Sequence, residues 1–170
     1  TGEDTLSLHD ALPISEDDFK DVENGVLKDG VPKQTFTAKV RPGDIKYVDL
    51  DKNGFIDTYD QMAIGGTENP EIVYGFGVNL RWKELDFGAM FQGIGRTWRI
   101  LSSNIMPASN KGSMYNIFDN YQDRWTVDNQ SQDVFYPRAD YGPNANNSQK
   151  STWWLRNMSF LRLKNLELGY

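Results

Sequence analysis

The stretch Asp49 to Asp60 reads D-L-D-K-N-G-F-I-D-T-Y-D and carries the clearest chemistry in the sequence. On the twelve-position calcium-loop pattern, Asp49, Asp51 and Asn53 fill positions 1, 3 and 5 with oxygen donors. Gly54 stands at position 6, where the chain must turn sharply. Phe55 would ligate through its backbone carbonyl, Asp57 directly or through a water, and Asp60 would close the shell. Ile56 supplies an apolar anchor. Hard oxygen donors at this spacing suit Ca²⁺ better than a transition metal, and the expected role is structural. One departure is that position 12 is Asp rather than the longer, bidentate Glu.

No helical pattern flanks the loop, so it is not half of a paired EF-hand switch. A plain Asp/Asn/Gly turn without an ion is the competing reading. Other site chemistry is scarce. The 170 residues hold no cysteine and one histidine, His9, which excludes thiolate sites, disulfides and histidine-based triads. Carboxylates are plentiful, but nothing places two of them in a defined pocket, so the chain reads as a non-enzyme. A net charge of -6 with no basic stripe argues against nucleic acid as a partner.

The elements that would position the loop are β-strands. Ile72 to Trp82 alternates, with Tyr74, Phe76, Val78, Leu80 and Trp82 on one face and Gly75, Gly77, Asn79 and Arg81 on the other. Leu85 to Gln92 alternates again, with Leu85, Phe87, Ala89 and Phe91 opposite Asp86, Gly88, Met90 and Gln92. Lys83-Glu84 makes the turn between them. Phe160 to Tyr170 is a third strand, whose apolar parity shifts near Lys164-Asn165, predicting a β-bulge. These lengths approach the ~9–11 residues of a tilted transmembrane strand. By pattern alone, a soluble sandwich hairpin with one buried face fits equally well.

Elsewhere the sequence predicts loop over Ser15 to Lys33, short extended pieces at Gln34 to Val40 and Ile45 to Val48, and a turn at Arg41 to Asp44. Gly93 to Ser159 is a long polar connection with one helix candidate, Met114 to Trp125. Trp98, Trp125, Tyr141, Trp153 and Trp154 lie in or beside that connection. Aromatic faces there could stack on sugar rings, although packing of the loop is the commoner use, and no cargo-binding residue is assigned.

Thr5 to Ile14 (T-L-S-L-H-D-A-L-P-I) resembles, residue for residue, one reading frame of a common short-read sequencing adapter. Residues 1–15 are therefore expected to be foreign to the protein, and His9 to carry no function. Tyr170 falls inside an alternating pattern. Both ends read as truncations.

The segments in hand resemble a known family. R-P-G-D-I-K-Y-V-D-L-D-K-N-G-F-I-D (Arg41 to Asp57) is similar to a segment of SusC/RagA-type TonB-linked outer-membrane proteins. Asn69-Pro70, Tyr74-Gly75-Phe76, Phe91-Gln92-Gly93, Tyr136-Pro137-Arg138, Trp154-Leu155-Arg156-Asn157 and Ser159 to Tyr170 follow in family order. The resemblance implies an all-β fold, with 16–170 a fragment of a transmembrane β-barrel of about 22 strands. Its antiparallel hairpins would be joined by a long extracellular loop containing a short helix. It also implies a nutrient importer working with a SusD-like surface lipoprotein and with TonB, carrying glycan or peptide cargo through outer-membrane lipid. The Lys83-Glu84 turn would be periplasmic, with Trp82 and Tyr170 in the periplasmic aromatic girdle and Tyr74 near the outer one. The alternative is a soluble, secreted, dockerin-like calcium-binding adhesion module.

Overall fold

The computed structural model describes residues 6–8, 10–63, 66–101, 118–140, 142 and 144–170. His9, Tyr141 and the start of the helix candidate at Met114 lie outside the described residues. The chain divides into two compact units.

The first unit holds residues 65–99 and 155–170. Its centre is a three-stranded antiparallel sheet of β9 (Ile72–Trp82), β10 (Leu85–Gly95) and β13 (Phe160–Gly169), in the order β13-β10-β9. The short strands β11 (Trp98–Ile100) and β12 (Leu155–Asn157) stand where the chain leaves and re-enters the unit. The β9–β10 hairpin is tight: Trp82 pairs with Leu85, and Lys83 adopts φ 56 to turn the chain. Both long strands are those expected, β10 running on to Gly95.

Register sorts the side chains onto two unlike faces. Phe87 pairs with Leu80 on one side and Leu168 on the other, and Ala89 likewise with Val78 and Leu166. Phe91 pairs with Phe76 and Leu163, and the two phenyl rings stack 5.1 Å apart. The opposite face pairs Asp86 with Arg81 and Gly169, Gly88 with Asn79 and Glu167, and Gln92 with Gly75 and Arg162. Between Met90 and Phe91 the register slips past Lys164, so the expected bulge is present. The slip keeps Leu161 and Leu163 on the same face as Leu166 and Leu168. Tyr74 lies across Gly93, where a Cβ would collide with its ring.

The second unit holds residues 5–64 and 100–154. It is built from strands of two to four residues: β1 (Leu6–Leu8), β2 (Asp10–Pro13), β3 (Phe19–Asp21), β4 (Val26–Leu27), β5 (Lys33–Gln34), β6 (Ile45–Tyr47), β7 (Phe55–Ile56) and β8 (Gln61–Ala63). They pair as β1-β8, β2-β6, β3-β4 and, in parallel, β5-β7. Leu8, Ile45, Tyr47, Ile56, Tyr136, Trp153 and Trp154 form the larger core, and Ile14, Phe19 and Val40 a smaller one. The run read as adapter-like thus contributes Leu8 and Ile14 to these cores.

A buried polar knot ties the Arg41–Asp44 turn to the loop around residue 145. Asp44 is fully buried and its Oδ1 accepts from Arg138 Nε at 2.8 Å and from Asn144 and Asn147 Nδ2 at 3.0 Å each. Its Oδ2 accepts from the Arg41 amide at 2.8 Å. Asn147 Oδ1 in turn accepts from the Ile45 amide, and Asn146 Nδ2 donates to the Ile45 carbonyl. Gly43 takes φ 85 at the third turn position, which Pro42-Gly43 supplies without strain.

Three expectations need correction. The segment Ser15 to Lys33, expected as loop, holds a 3-10 turn at Glu16–Asp18 and the antiparallel pair β3-β4, because Phe19 is drawn into the smaller core. The strand over Gln34 to Val40 survives only at Gln34, because the Thr35 hydroxyl bonds the Ile56 carbonyl and the chain then turns so that Val40 enters the smaller core. The helix over Met114 to Trp125 is, in its described part, one 3-10 turn at Asp119–Gln122. Pairing with the segment at Tyr136 wins there: the Trp125 amide donates to the Tyr136 carbonyl and the Tyr136 amide to Asp123, each at 3.0 Å.

Candidate metal centre

The Asp49–Asp60 loop belongs to the second unit and is held at both ends by short strands. β6 ends just before it, and Phe55–Ile56 within it forms β7 beside Lys33–Gln34. Gly54 takes φ 87, the left-handed turn expected at position 6, and Lys52 takes φ 60. A 3-10 turn at Thr58–Asp60 closes the loop. Asp57 caps it by accepting from the Tyr59 amide at 2.7 Å. Asp60 reaches back, its Oδ2 accepting from the Asp57 amide and its Oδ1 from the Leu50 amide, both at 2.8 Å.

This wiring brings three of the six expected ligands together. Carboxylate oxygens of Asp49, Asp51 and Asp60 lie within 4.8 Å of one another, with Asp60 buried and Asp51 exposed. Asp57 is not in that group. Asn53 turns its Oδ1 to the Phe55 amide at 2.7 Å, and Phe55 stands in β7 with its ring outward.

The three carboxylates accept hydrogen bonds from amides within the loop. The Asn53 amide donates to Asp49 Oδ1 and to Asp51 Oδ1, the Asn53 side chain to Asp51 Oδ2, and the Gly54 amide to Asp49 Oδ2. A carboxylate has about four acceptor sites, so each retains free capacity. Among the described residues no lysine or arginine forms an ion pair with them. Desolvation acts to raise the Asp49 carboxyl, but the amides of Gly54, Lys52 and Asn53 outweigh it and hold it below the usual range. Three converging anions with spare lone pairs fit a hard divalent cation.

Three tryptophans of the long connection serve packing. Trp125, Trp153 and Trp154 are at most 8% exposed, and the indole N–H groups of Trp153 and Trp154 donate to the carbonyls of Phe135 and Asn147. The buried knot at Asp44 escaped the sequence reading, because N-A-N-N (Asn144 to Asn147) looks like any polar loop until its partners are known.

No family model matches the chain. It is 31% identical over 130 residues to TonB-dependent receptor P26 of Formosa agariphila, a match covering 75% of this chain and 12% of that protein. TonB-dependent receptor P3 of the same organism is 30% identical over 140 residues, covering 80% and 13%. The chain thus spans about an eighth of the length of the curated relatives it matches. Among solved structures it is similar to the RagAB peptide importer in its open-open state, with TM-score 0.57 and 22% identity over 98% of this chain and 16% of that one. The closed-closed state gives TM-score 0.56 at 23% identity, with the same coverage. All-β architecture, a sheet with one apolar and one polar face, and these relatives agree: the chain is a segment of a TonB-dependent receptor, a β-barrel protein of the outer membrane.

Proposed function

We propose that this segment is part of the barrel wall and outer loops of an importer that carries nutrients, glycans or peptides, across the outer membrane. The observation that carries this reading is the two-faced sheet. Lipid would cover the face of Phe76, Val78, Leu80, Phe87, Leu166 and Leu168, while Asn79, Arg81, Asp86, Arg162 and Glu167 would face the lumen. In this reading the Lys83-Glu84 turn faces the periplasm and the long connections belong to the extracellular side. A SusD-like lipoprotein would cap the barrel, and TonB would drive it through parts of the receptor outside this segment. The relatives' names are those of receptors and importers, which supports a non-enzymatic role.

The test is TonB-dependent uptake. Cells carrying the intact receptor and the lipoprotein encoded beside it should accumulate labelled oligosaccharide or oligopeptide, and loss of TonB or of the receptor should stop it. Equal accumulation of both cargo classes without the receptor would overturn the reading.

The Asp49–Asp60 loop, in the same proposal, holds a structural Ca²⁺ through Asp49, Asp51 and Asp60. Asn53, Asp57 and the Phe55 carbonyl would complete the shell. The ion would neutralise clustered anions and stiffen the loop. Terbium luminescence of the intact receptor should be displaced by Ca²⁺, and Asp49→Ala or Asp60→Asn should weaken binding by about tenfold or more. Unchanged luminescence in both variants would place the ion elsewhere.

A further inference from the structure

An open cleft of about 480 Å³ lies within the second unit, away from the acidic loop, and its lining is unlike the rest of this anionic chain. Three of its walls carry arginine: Arg41, Arg124 and Arg138. The remainder includes Val22, Pro42, Trp125, Val127 and Ala139, with Glu16 the one acid.

The three arginines differ in what they have left to offer. Arg138 is consumed internally, its Nε on Asp44 at 2.8 Å and its second nitrogen on Asp140 at 2.6 Å. Arg124 gives one nitrogen to the Tyr121 carbonyl at 3.0 Å and lies over the Tyr121 ring, which fixes its plane and leaves other N–H groups free. Arg41 is exposed, and its guanidinium has no ion pair or side-chain hydrogen bond among the described residues. Glu16 is engaged by the Gln130 side chain at 3.3 Å.

Trp125 forms part of one wall. It is 5% exposed, its ring is fixed against Gly43, and its indole N–H is buried with no acceptor. Because the Trp125 ring is itself covered, it does not offer a stacking platform for a sugar. The open surfaces are small aliphatic ones.

We propose that the cleft is a binding site for a carboxylate carried beside an apolar group, held by Arg41 and Arg124. Guanidinium groups match a carboxylate with paired, charge-assisted hydrogen bonds, and Val22, Pro42, Val127 and Ala139 receive the apolar part. The site stands on the geometry of this unit and holds whether or not the intact receptor imports what it binds there.

The experiment titrates the intact receptor, purified in detergent, with N-acetyl-leucine, N-acetyl-leucinamide and trigalacturonate. The acid should bind about tenfold or more tightly than its amide. That preference should shrink with added salt and vanish in Arg41→Gln, an exposed position whose change leaves the core intact. Equal binding of acid and amide, no binding of either, or a preference untouched by Arg41→Gln overturns the proposal. Binding of trigalacturonate without N-acetyl-leucine overturns it as well, since the apolar half of the recognition would then be wrong.

Discussion

At Asp44 one buried carboxylate gathers donors from residues 94 to 103 positions further along the chain. Desolvation raises its pKa above the ordinary value, against the pull of Arg138, the Arg41 amide, Asn147 and Asn144. A raised folded-state pKa means that the folded chain holds this proton more tightly than the unfolded chain. Its contribution to stability is therefore full below the ordinary value of 3.8 and declines as pH rises through the folded pKa. Asp44→Asn removes that titration, so the second unit of the variant should lose less stability than the parent between acid and neutral pH. Asp44→Ala is harsher, since it strips Arg138 of one of two carboxylates and orphans buried N–H groups. A cost of about 3–5 kcal/mol is expected. Limited proteolysis of the intact receptor at several urea concentrations reads both effects, and an alanine variant as resistant as the parent would remove the knot from the account of this unit.

Among the elements, the β9–β10–β13 sheet gives the sharpest test, because its two faces make opposite demands at adjacent positions. Leu166 and Asn165 are neighbours on β13, each paired with β10, yet they point to opposite sides. Leu166→Arg should cost about 2–4 kcal/mol if its face meets lipid near the midplane, whereas Asn165→Arg should cost little on a wet lumen. Heat-modifiable migration of the intact barrel measures this, and equal costs would contradict the assignment of faces. These strands were legible in the sequence because period-2 alternation over eleven residues is a long-lived signal. The bulge was legible for the same reason, since leucines that change parity at Lys164 can share a face only if a residue is skipped. The second unit was much less legible. Its strands are two to four residues long, too short to set a period, and they exist through pairings between distant segments such as Lys33 with Phe55. In the described part of the helix expected over Met114 to Trp125, the helical spacing of Phe118, Tyr121 and Trp125 was outweighed by the pairing of Trp125 with Tyr136. The sharp turn inside Asp49–Asp60 was legible, because it is set locally by Gly54 and by the capping of Asp57 and Asp60.

For the whole molecule the decisive fact is how much of the first unit's surface has no protein partner. Every residue of β9 is exposed, and Leu161, Leu163, Leu166 and Leu168 are each about half exposed or more. Among the described residues, β9 and β13 each pair on one side only, so each presents an edge of unsatisfied amides and carbonyls. In a barrel the edges close on neighbouring strands and the leucine face meets lipid, which removes both liabilities together. In water neither is removed, and exposed apolar strands with open edges pair with one another. The isolated 170-residue chain should therefore aggregate without detergent, while the intact receptor should migrate as a compact, heat-modifiable species in detergent. Size-exclusion chromatography of both decides the matter. A monodisperse, folded monomer of the isolated chain in plain buffer would mean that the apolar face has a partner within the chain, and the soluble calcium-binding module would then be the better account.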